Sequence, residues 1–303
     1  MPAAADRSSV ASRSGVWLPR VSNLERGSHT PLREANHKLQ TTNSLFPLDA
    51  WSFLREHTAA RLAQGITGHS LPTRALLDFQ LDQARARDAV YSTLAWPELL
   101  AGLIDLLPST APIRLQSQAP DRPTYLKRPD LGRKINELSV RQLADIAIVP
   151  TDLSIILADG LSATAINRHA LPLLALLLPE VARLGWSLAP VCVMEQARVA
   201  VGDAVAHALQ ARMTVVLIGE RPGLTSPDSL GAYLTYNPRP GLTDESRNCV
   251  SNIRPEGLPY AFAVQKLLYL LTEMHVRKLS GVGLKDELIL GISPNDPPNR
   301  AVD

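Results

Sequence analysis

The chain has 303 residues, 45% of them hydrophobic, and its 31 basic and 29 acidic side chains leave a formal net charge of +2. That near-balance excludes the concentrated basic charge with which nucleic-acid-binding and membrane-surface proteins hold their partners. The length suffices to bury a sizeable core, and two cysteines, Cys192 and Cys249, are too few for a disulfide scaffold and point to a reducing, intracellular compartment. No stretch is apolar over the roughly 18 residues a membrane helix needs; the richest run, Leu171 to Leu178, contains Pro172 and is closed by Pro179-Glu180.

Residues 1–46 mix Ser, Arg and small side chains with little apolar periodicity and no secretory signal, which predicts a flexible tail. A first helix is expected from Pro47-Leu48-Asp49, capped by Asp49 or Ser52, with Trp51, Leu54, Thr58 and Leu62 on one face and Gly65 to Gly68 ending it. Pro72-Thr73 opens a second helix that runs to Val90 and carries Asp82, Arg85, Arg87 and Asp88 on a solvated face. From Leu107 to Pro123 the chain is Pro-rich, and the alternating run Ile113 to Gln116 suits an edge strand. Tyr125 to Arg133 then sets three basic residues beside a Pro-Asp turn and a glycine; an anion site and an ordinary charged loop both fit. Residues 47–149 thus form a helical region with a Pro-rich connection.

Residues 150–290 are patterned differently. Leu153 to Ala158 is a continuous apolar run, as in a strand covered on both faces. Asp159-Gly160-Leu161-Ser162 follows, with Ser162 placed to cap a helix from Ala163 to Leu178. Leu188 to Val193 reads as a second strand, Ala200 to Leu209 as a helix and Met213 to Ile218 as a third strand. This alternation predicts an α/β fold, doubly wound with a mostly parallel sheet, carrying a helical N-terminal extension. Ala232 to Tyr236 is expected as a fourth strand at an edge. The last helix runs from Pro259 to Leu279 with Ala263, Leu267, Leu270, Leu271 and Met274 as its apolar stripe and Gly281 at its end. Residues 291–303, with Pro294, Pro297 and Pro298, are expected to be a loose tail.

The chain has no Walker loop, HExxH, GxGxxG or nucleophile elbow, and none of its seven histidines stands at triad spacing from a Ser or Cys. Gly281-Val282-Gly283 follows a helix instead of opening one. The Asp159–Ser162 turn lies where backbone amides receive anions, but a cap plus a tight turn explains the same residues. Most of the functional information lies between Arg198 and Arg254. There an apolar strand stops at Gly219-Glu220-Arg221-Pro222-Gly223, and ligands of open α/β sheets gather beyond strand carboxyl ends. Glu220 is placed either to accept hydrogen bonds from a ligand or to lock its loop by pairing with Arg221. For Cys249, a buried packing role, a reactive thiol and a main-chain contact are all open, burial being the commonest fate of a free Cys.

Four ordered blocks resemble the small (light) subunit of ethanolamine ammonia-lyase. They are Leu54-Arg55-x-x-Thr58-x-Ala60-Arg61 with Pro72-Thr73 and Ala86-Arg87-Asp88-Ala89-Val90; Tyr125-Leu-x-Arg-Pro-Asp-Leu-Gly-Arg133; Asp159-Gly-Leu-Ser162; and Gly219-Glu-Arg-Pro-Gly-Leu224 through Asn248-Cys-x-Ser-Asn252. The chain departs from the family's pattern at Ile66-Thr67 and at Gln83. The resemblance implies an adenosylcobalamin-dependent lyase that converts ethanolamine to acetaldehyde and ammonia, its radical site in a separate large subunit. It implies corrinoid contacts at Val199 (main chain), Glu220 (side chain) and Cys249 (main-chain carbonyl). It also implies a cytoplasmic hetero-oligomer, with a bacterial microcompartment as a narrower setting. Two rival readings are a stand-alone doubly wound enzyme using Glu220 as acid or base, and a structural or shell-associated adaptor without a ligand.

Overall fold

The computed structural model describes residues 51–58, 60–146 and 149–288. The two expected tails and the opening of the first helix at Pro47-Leu48-Asp49 lie outside the described residues. The first described element is a single 3-10 turn, Ser52–Glu56, that buries none of its residues. The helix expected there does not continue, because a short helix needs an apolar face packed against something, and Trp51 and Phe53 are exposed.

Helices α1 (Thr73–Tyr91) and α2 (Trp96–Leu106) follow, then strand β1 (Ile113–Gln116) and the short helices α3 (Arg122–Lys127) and α4 (Glu137–Ala144). Asp121 caps α3 by accepting from Thr124 N, and Asn136 caps α4 by accepting from Ser139 N. The remaining elements are β2 (Thr151–Ala158), α5 (Ala163–Arg183), β3 (Cys192–Glu195), α6 (Val201–Ala208), β4 (Ala211–Gly219), β5 (Leu230–Tyr236), β6 (Asn248–Ile253) and α7 (Tyr260–Arg277).

The six strands lie in the order β1-β3-β2-β4-β5-β6. Pairings β1–β3, β3–β2 and β2–β4 are parallel, whereas β4–β5 and β5–β6 are antiparallel. The sheet is therefore mixed, which corrects the mostly parallel expectation. After β4 the chain turns back through a loop instead of crossing over on a helix, so β5 must run antiparallel. The same geometry places β5 inside the sheet, with β6 at the edge. Thr235, which alternation had assigned to an exposed edge strand, is buried.

Alternation along the central strands builds two cores. Leu153, Ile155 and Leu157 of β2 and Met213, Val215 and Leu217 of β4 face α2, α5 and α7. Ile156, Ala158, Val216 and Ile218 face α4 and α6. Successive side chains of a strand point to opposite faces, so this sheet is covered on both sides by one chain. The crossover β2-α5-β3 steps one way along the sheet on one face; β3-α6-β4 steps the other way on the opposite face. Both therefore share one hand. Their connections part between β3 and β2, leaving a crevice at the carboxyl ends there.

Helix α5 continues past the expected end at Leu178 to Arg183 despite Pro172 and Pro179. Both prolines lie on its exposed face, seven residues or about two turns apart. The hydrogen bonds they remove are on the solvent side, while Ile166, Ala170, Leu173, Leu174, Leu177 and Val181 pack inward. On α7 the predicted stripe is buried residue for residue, joined by Val264. It is Lys278, at φ 57°, that ends this helix in the left-handed region, and Gly281 opens a further 3-10 turn, Gly281–Gly283. No described helix is long and apolar enough to cross a membrane.

The ends of β2 and β4 are pressed together at Gly160. This residue has φ +55°, and a Cβ there would lie 2.2 Å from Gly219 O. Gly185 also has positive φ, +71°, but with open space around its Cβ position. In Gly185→Ala only the backbone conformation is penalised, by about 1–3 kcal/mol. Gly160→Ala is expected to lose clearly more, because the ends of two core strands must also move apart. Urea midpoints of the two variants measure the difference.

Candidate functional site

At the crevice, three loops converge around an open cleft of about 420 Å³ lined by Tyr125, Gly160, Leu161, Arg198, Val199, Ile218, Gly219, Glu220, Arg221, Tyr233 and Ser251. The loops follow β2, β3 and β4, and β5 and β6 add Tyr233 and Ser251. Larger clefts of about 600 and 720 Å³ lie elsewhere, one between the N-terminal turn and α1, the other between α6 and residues 240–244; neither reaches Glu220.

Glu220 is the first residue after β4, and its N–H donates to Ser229 O at 3.0 Å. Its carboxylate accepts from Ser251 Oγ on Oε1 at 2.5 Å, and from Ser229 Oγ at 2.5 Å and Asn252 N at 3.2 Å on Oε2. Two departures from a regular sheet make room for it. Against its carboxylate lies Gly231, which pairs in register with Ile218 and where a Cβ would come within 2.9 Å of Oε1. In addition, β6 advances from Val250 to Ile253 while β5 steps only from Ala232 to Leu230, so β6 carries a bulge. Within that bulge Asn252 adopts φ 58°, and the kink turns Ser251 Oγ and Asn252 N onto the carboxylate. Glu220 forms no ion pair with Arg221 among the described residues; hydroxyls and an amide hold it. The loop-locking salt bridge considered from sequence is therefore not what fixes it.

The β4–β5 loop is anchored at its far end by Asp228, which lies 2.9 Å from Arg168 Nη1, 3.3 Å from His169 Nε2 and 3.4 Å from Arg254 Nη1. Burial pushes the Asp228 carboxyl up, but the bonds from Arg168 and His169 outweigh it and hold the group below the usual carboxylate range. His169 also meets Tyr260 Oη at 2.7 Å. Ser162 does not cap α5; its hydroxyl donates to Pro227 O at 2.9 Å and ties the same loop down. Nor is the Asp159–Ser162 turn an anion cradle, since Leu161 N donates to Gly219 O and Ser162 N to Asp159 O.

Val199 lines the cleft in the turn that enters α6. Cys249, on β6, pairs in register with Tyr233, and its thiol sits against the Tyr233 hydroxyl. The residue as a whole is exposed, so the buried packing role, one of the three left open by the sequence, does not apply. Desolvation of the sulfur raises the thiol above its ordinary value, with Glu220 adding to the effect. A thiol shifted in that direction holds its proton and is a poor nucleophile.

The resembling blocks acquire physical roles. Asn248 Oδ1 accepts from Gly281 N at 2.7 Å and its Nδ2 donates to Leu284 O at 2.7 Å, fastening the turn after α7. Arg247 forms a buried ion pair with Asp203 of α6. Tyr125 is fully buried and donates to Ala197 O at 3.0 Å. Arg122 and Arg198 stack on its ring at 4.8 and 4.5 Å. In the Tyr125–Arg133 block, Arg128 pairs with Asp130 at the surface, so this cation belongs to an ordinary loop.

Asp159, at the end of β2, carries the floor of the cleft. Its carboxylate accepts from Gln196 N at 2.8 Å and Ala197 N at 3.0 Å, with Arg122 Nη1 3.7 Å away. Burial pushes its pKa up to about 6, against the lowering effect of those two amides and Arg122. Asp159, Ser229, Ser251, Asn252 and Gly231 were not recognised individually from sequence. An isolated acid or serine carries no signal until the sheet register aligns it.

A mixed sheet wrapped on both faces, with an open polar cleft where its crossovers diverge, defines an α/β domain of the doubly wound class. The family model for "Ethanolamine ammonia-lyase light chain (EutC)" matches residues 48–285. Among curated relatives, the ethanolamine ammonia-lyase small subunit of Pseudomonas syringae pv. tomato is 50% identical over 253 residues, 82% of this chain and 88% of that one. That of Azotobacter vinelandii is 54% identical over 244 residues, covering 78% and 88%. The chain belongs to the ethanolamine ammonia-lyase light-chain family, a family of carbon–nitrogen lyase subunits.

The shift at Asp159 has a testable sign. Its carboxyl binds a proton more tightly in the fold, at about 6, than in the unfolded chain, at 3.8. The stability this contributes is complete below the unfolded value and is lost as pH rises through about 6. Across that window the thermal midpoint of the native chain is expected to fall relative to that of Asp159→Asn, whatever constant offset the lost amide bond introduces. Parallel pH profiles of the two would disprove it.

Proposed function

We propose that this chain is the small subunit of an adenosylcobalamin-dependent ethanolamine ammonia-lyase, holding one side of the corrinoid against a large subunit that binds substrate. When bound, adenosylcobalamin supplies the radical chemistry that takes ethanolamine to acetaldehyde and ammonia. This chain's own work is placement and exclusion of water.

One observation carries the reading: Glu220 is fixed and incompletely satisfied. An ionised carboxylate offers about four acceptor positions, and its neighbours fill three. The remaining position, on Oε1, suits an amide N–H, and a corrin is fringed with neutral amides. Val199 lines the same cleft and offers main-chain groups, and Cys249 lies two residues from Ser251 on the strand that closes the cleft, where the resemblance implies a contact through its carbonyl. The openness of the cleft supports completion by a partner. So do Leu76, Leu77 and Leu81, which leave exposed apolar surface on α1. The stand-alone enzyme is less well supported, because a general acid or base gains nothing from three fixed donors on its carboxylate. We place the assembly in the cytoplasm, with a microcompartment as the narrower setting.

Ethanolamine-dependent acetaldehyde formation is expected only when both subunits and adenosylcobalamin are present; full activity of the large subunit alone would refute the reading. Glu220→Ala in the complex is expected to weaken cobalamin binding about 10- to 100-fold, the worth of a charge-assisted hydrogen bond, with the thermal midpoint little changed. Gly231→Ala, which displaces the carboxylate without removing it, should weaken binding in the same direction. Unchanged spectrophotometric titrations for both variants would remove Glu220 from the site.

A further inference from the structure

The cleft contains a second fixed group, of opposite character to Glu220. Arg198 directly precedes Val199. Its backbone N–H donates to Gly132 O at 2.8 Å, and its guanidinium lies over the buried Tyr125 ring at 4.5 Å. The close approach depends on Gly132, where a Cβ would meet Tyr125 Cε2 at 2.9 Å and Arg198 Cγ at 3.0 Å. A buried aromatic floor and a glycine wall thus set the direction of a long side chain that would otherwise sample many rotamers.

No partner among the described residues explains this arrangement. Arg122, on the other side of the same ring, donates to Val90 O and Gly160 O and faces Asp159. Arg198 takes part in none of the ion pairs found among the described residues. Its Nε is buried and has no hydrogen-bond partner among the described residues. A buried guanidinium nitrogen without an acceptor is costly. The charged residues lining the cleft are two cations, Arg198 and Arg221, and one carboxylate, Glu220, which leaves room for one negative charge.

The geometry points to Arg198 as the receptor for a phosphodiester, the single anionic group in the nucleotide tail of a cobalamin. This deepens the function proposed above and rests on it: Glu220 takes an amide of the corrin rim while Arg198 takes the tail. The planar guanidinium offers paired N–H donors to two phosphate oxygens. The site thereby selects corrinoids that carry a nucleotide over those that lack one.

The test uses the complex with the large subunit, titrated spectrophotometrically with hydroxocobalamin and with cobinamide, which has the same corrin but no nucleotide and no phosphate. Arg198→Met keeps an apolar stem over Tyr125 and removes the charge; Arg198→Lys restores the charge without the planar fork. Arg198→Met is expected to weaken hydroxocobalamin binding about 10- to 100-fold and leave cobinamide binding unchanged, with Arg198→Lys intermediate. Equal loss for both ligands, or loss for neither, would overturn the assignment. So would dissociation of the Arg198→Met complex on size-exclusion chromatography, which would make the anion a side chain of the partner. Glu220→Ala, titrated alongside, separates the two ideas. If it weakens both ligands while Arg198→Met weakens neither, only the phosphodiester assignment fails; if the native complex binds neither corrinoid, both fail.

Discussion

The carboxylate of Glu220 sits where a regular sheet would have no space for it. It is accommodated because β5 has no side chain at Gly231 and because β6 spends an extra residue between Val250 and Ile253. The two irregularities act together. The glycine opens the notch, and the bulge turns Ser251 and Asn252 to fill it with donors. An acid at the rim of a core strand is thereby kept in one orientation by neutral hydrogen bonds, so that its charge is still available to a ligand.

The rest of the cleft follows from the crossovers. Because α5 and α6 leave the sheet on opposite faces, the ends of β2 and β3 stand apart, and three loops can be held at one crevice without any of them being long. Each loop is tied to another element: Asp159 to the amides of Gln196 and Ala197, Leu161 to Gly219, Ser162 to Pro227, Asp228 to Arg168 and Arg254. Such cross-ties make a pre-formed rim and reduce the ordering that a large ligand would otherwise impose on it.

Elements with sustained periodicity were legible in the sequence. The apolar runs of β2 and β4 mark strands covered on both faces and the stripe of α7 marks its buried side, because burial on a regular element repeats with its geometry. Where geometry departs from regularity the pattern fails. Strand β6 escaped notice because Asn248-Cys249-Val250-Ser251-Asn252-Ile253 is polar at three of its six positions, and its bulge breaks the two-residue period. Helices α3 and α4 are too short for a pattern, although Asp121 and Asn136 signal their starts. Ser162 shows the opposite failure: it has the right residue type at the right place for a cap, yet its hydroxyl is claimed by a loop some 65 residues away. Glu220 was found because it follows an apolar strand. Its supporting shell was not, because only the register of β5 against β6 makes neighbours of Gly231, Ser251 and the acid.

The bulge in β6 has a consequence beyond ligand contact. A strand at the border of a sheet offers unpaired backbone groups to any other extended chain, and proteins guard against this by twisting or breaking such borders. Here the left-handed Asn252 bends the outermost strand near its end and turns one of its amides inward to Glu220, interrupting the ladder that a further strand would continue. The irregularity that shapes the cleft also brings the sheet to a stop, guarding the exposed border against runaway self-pairing.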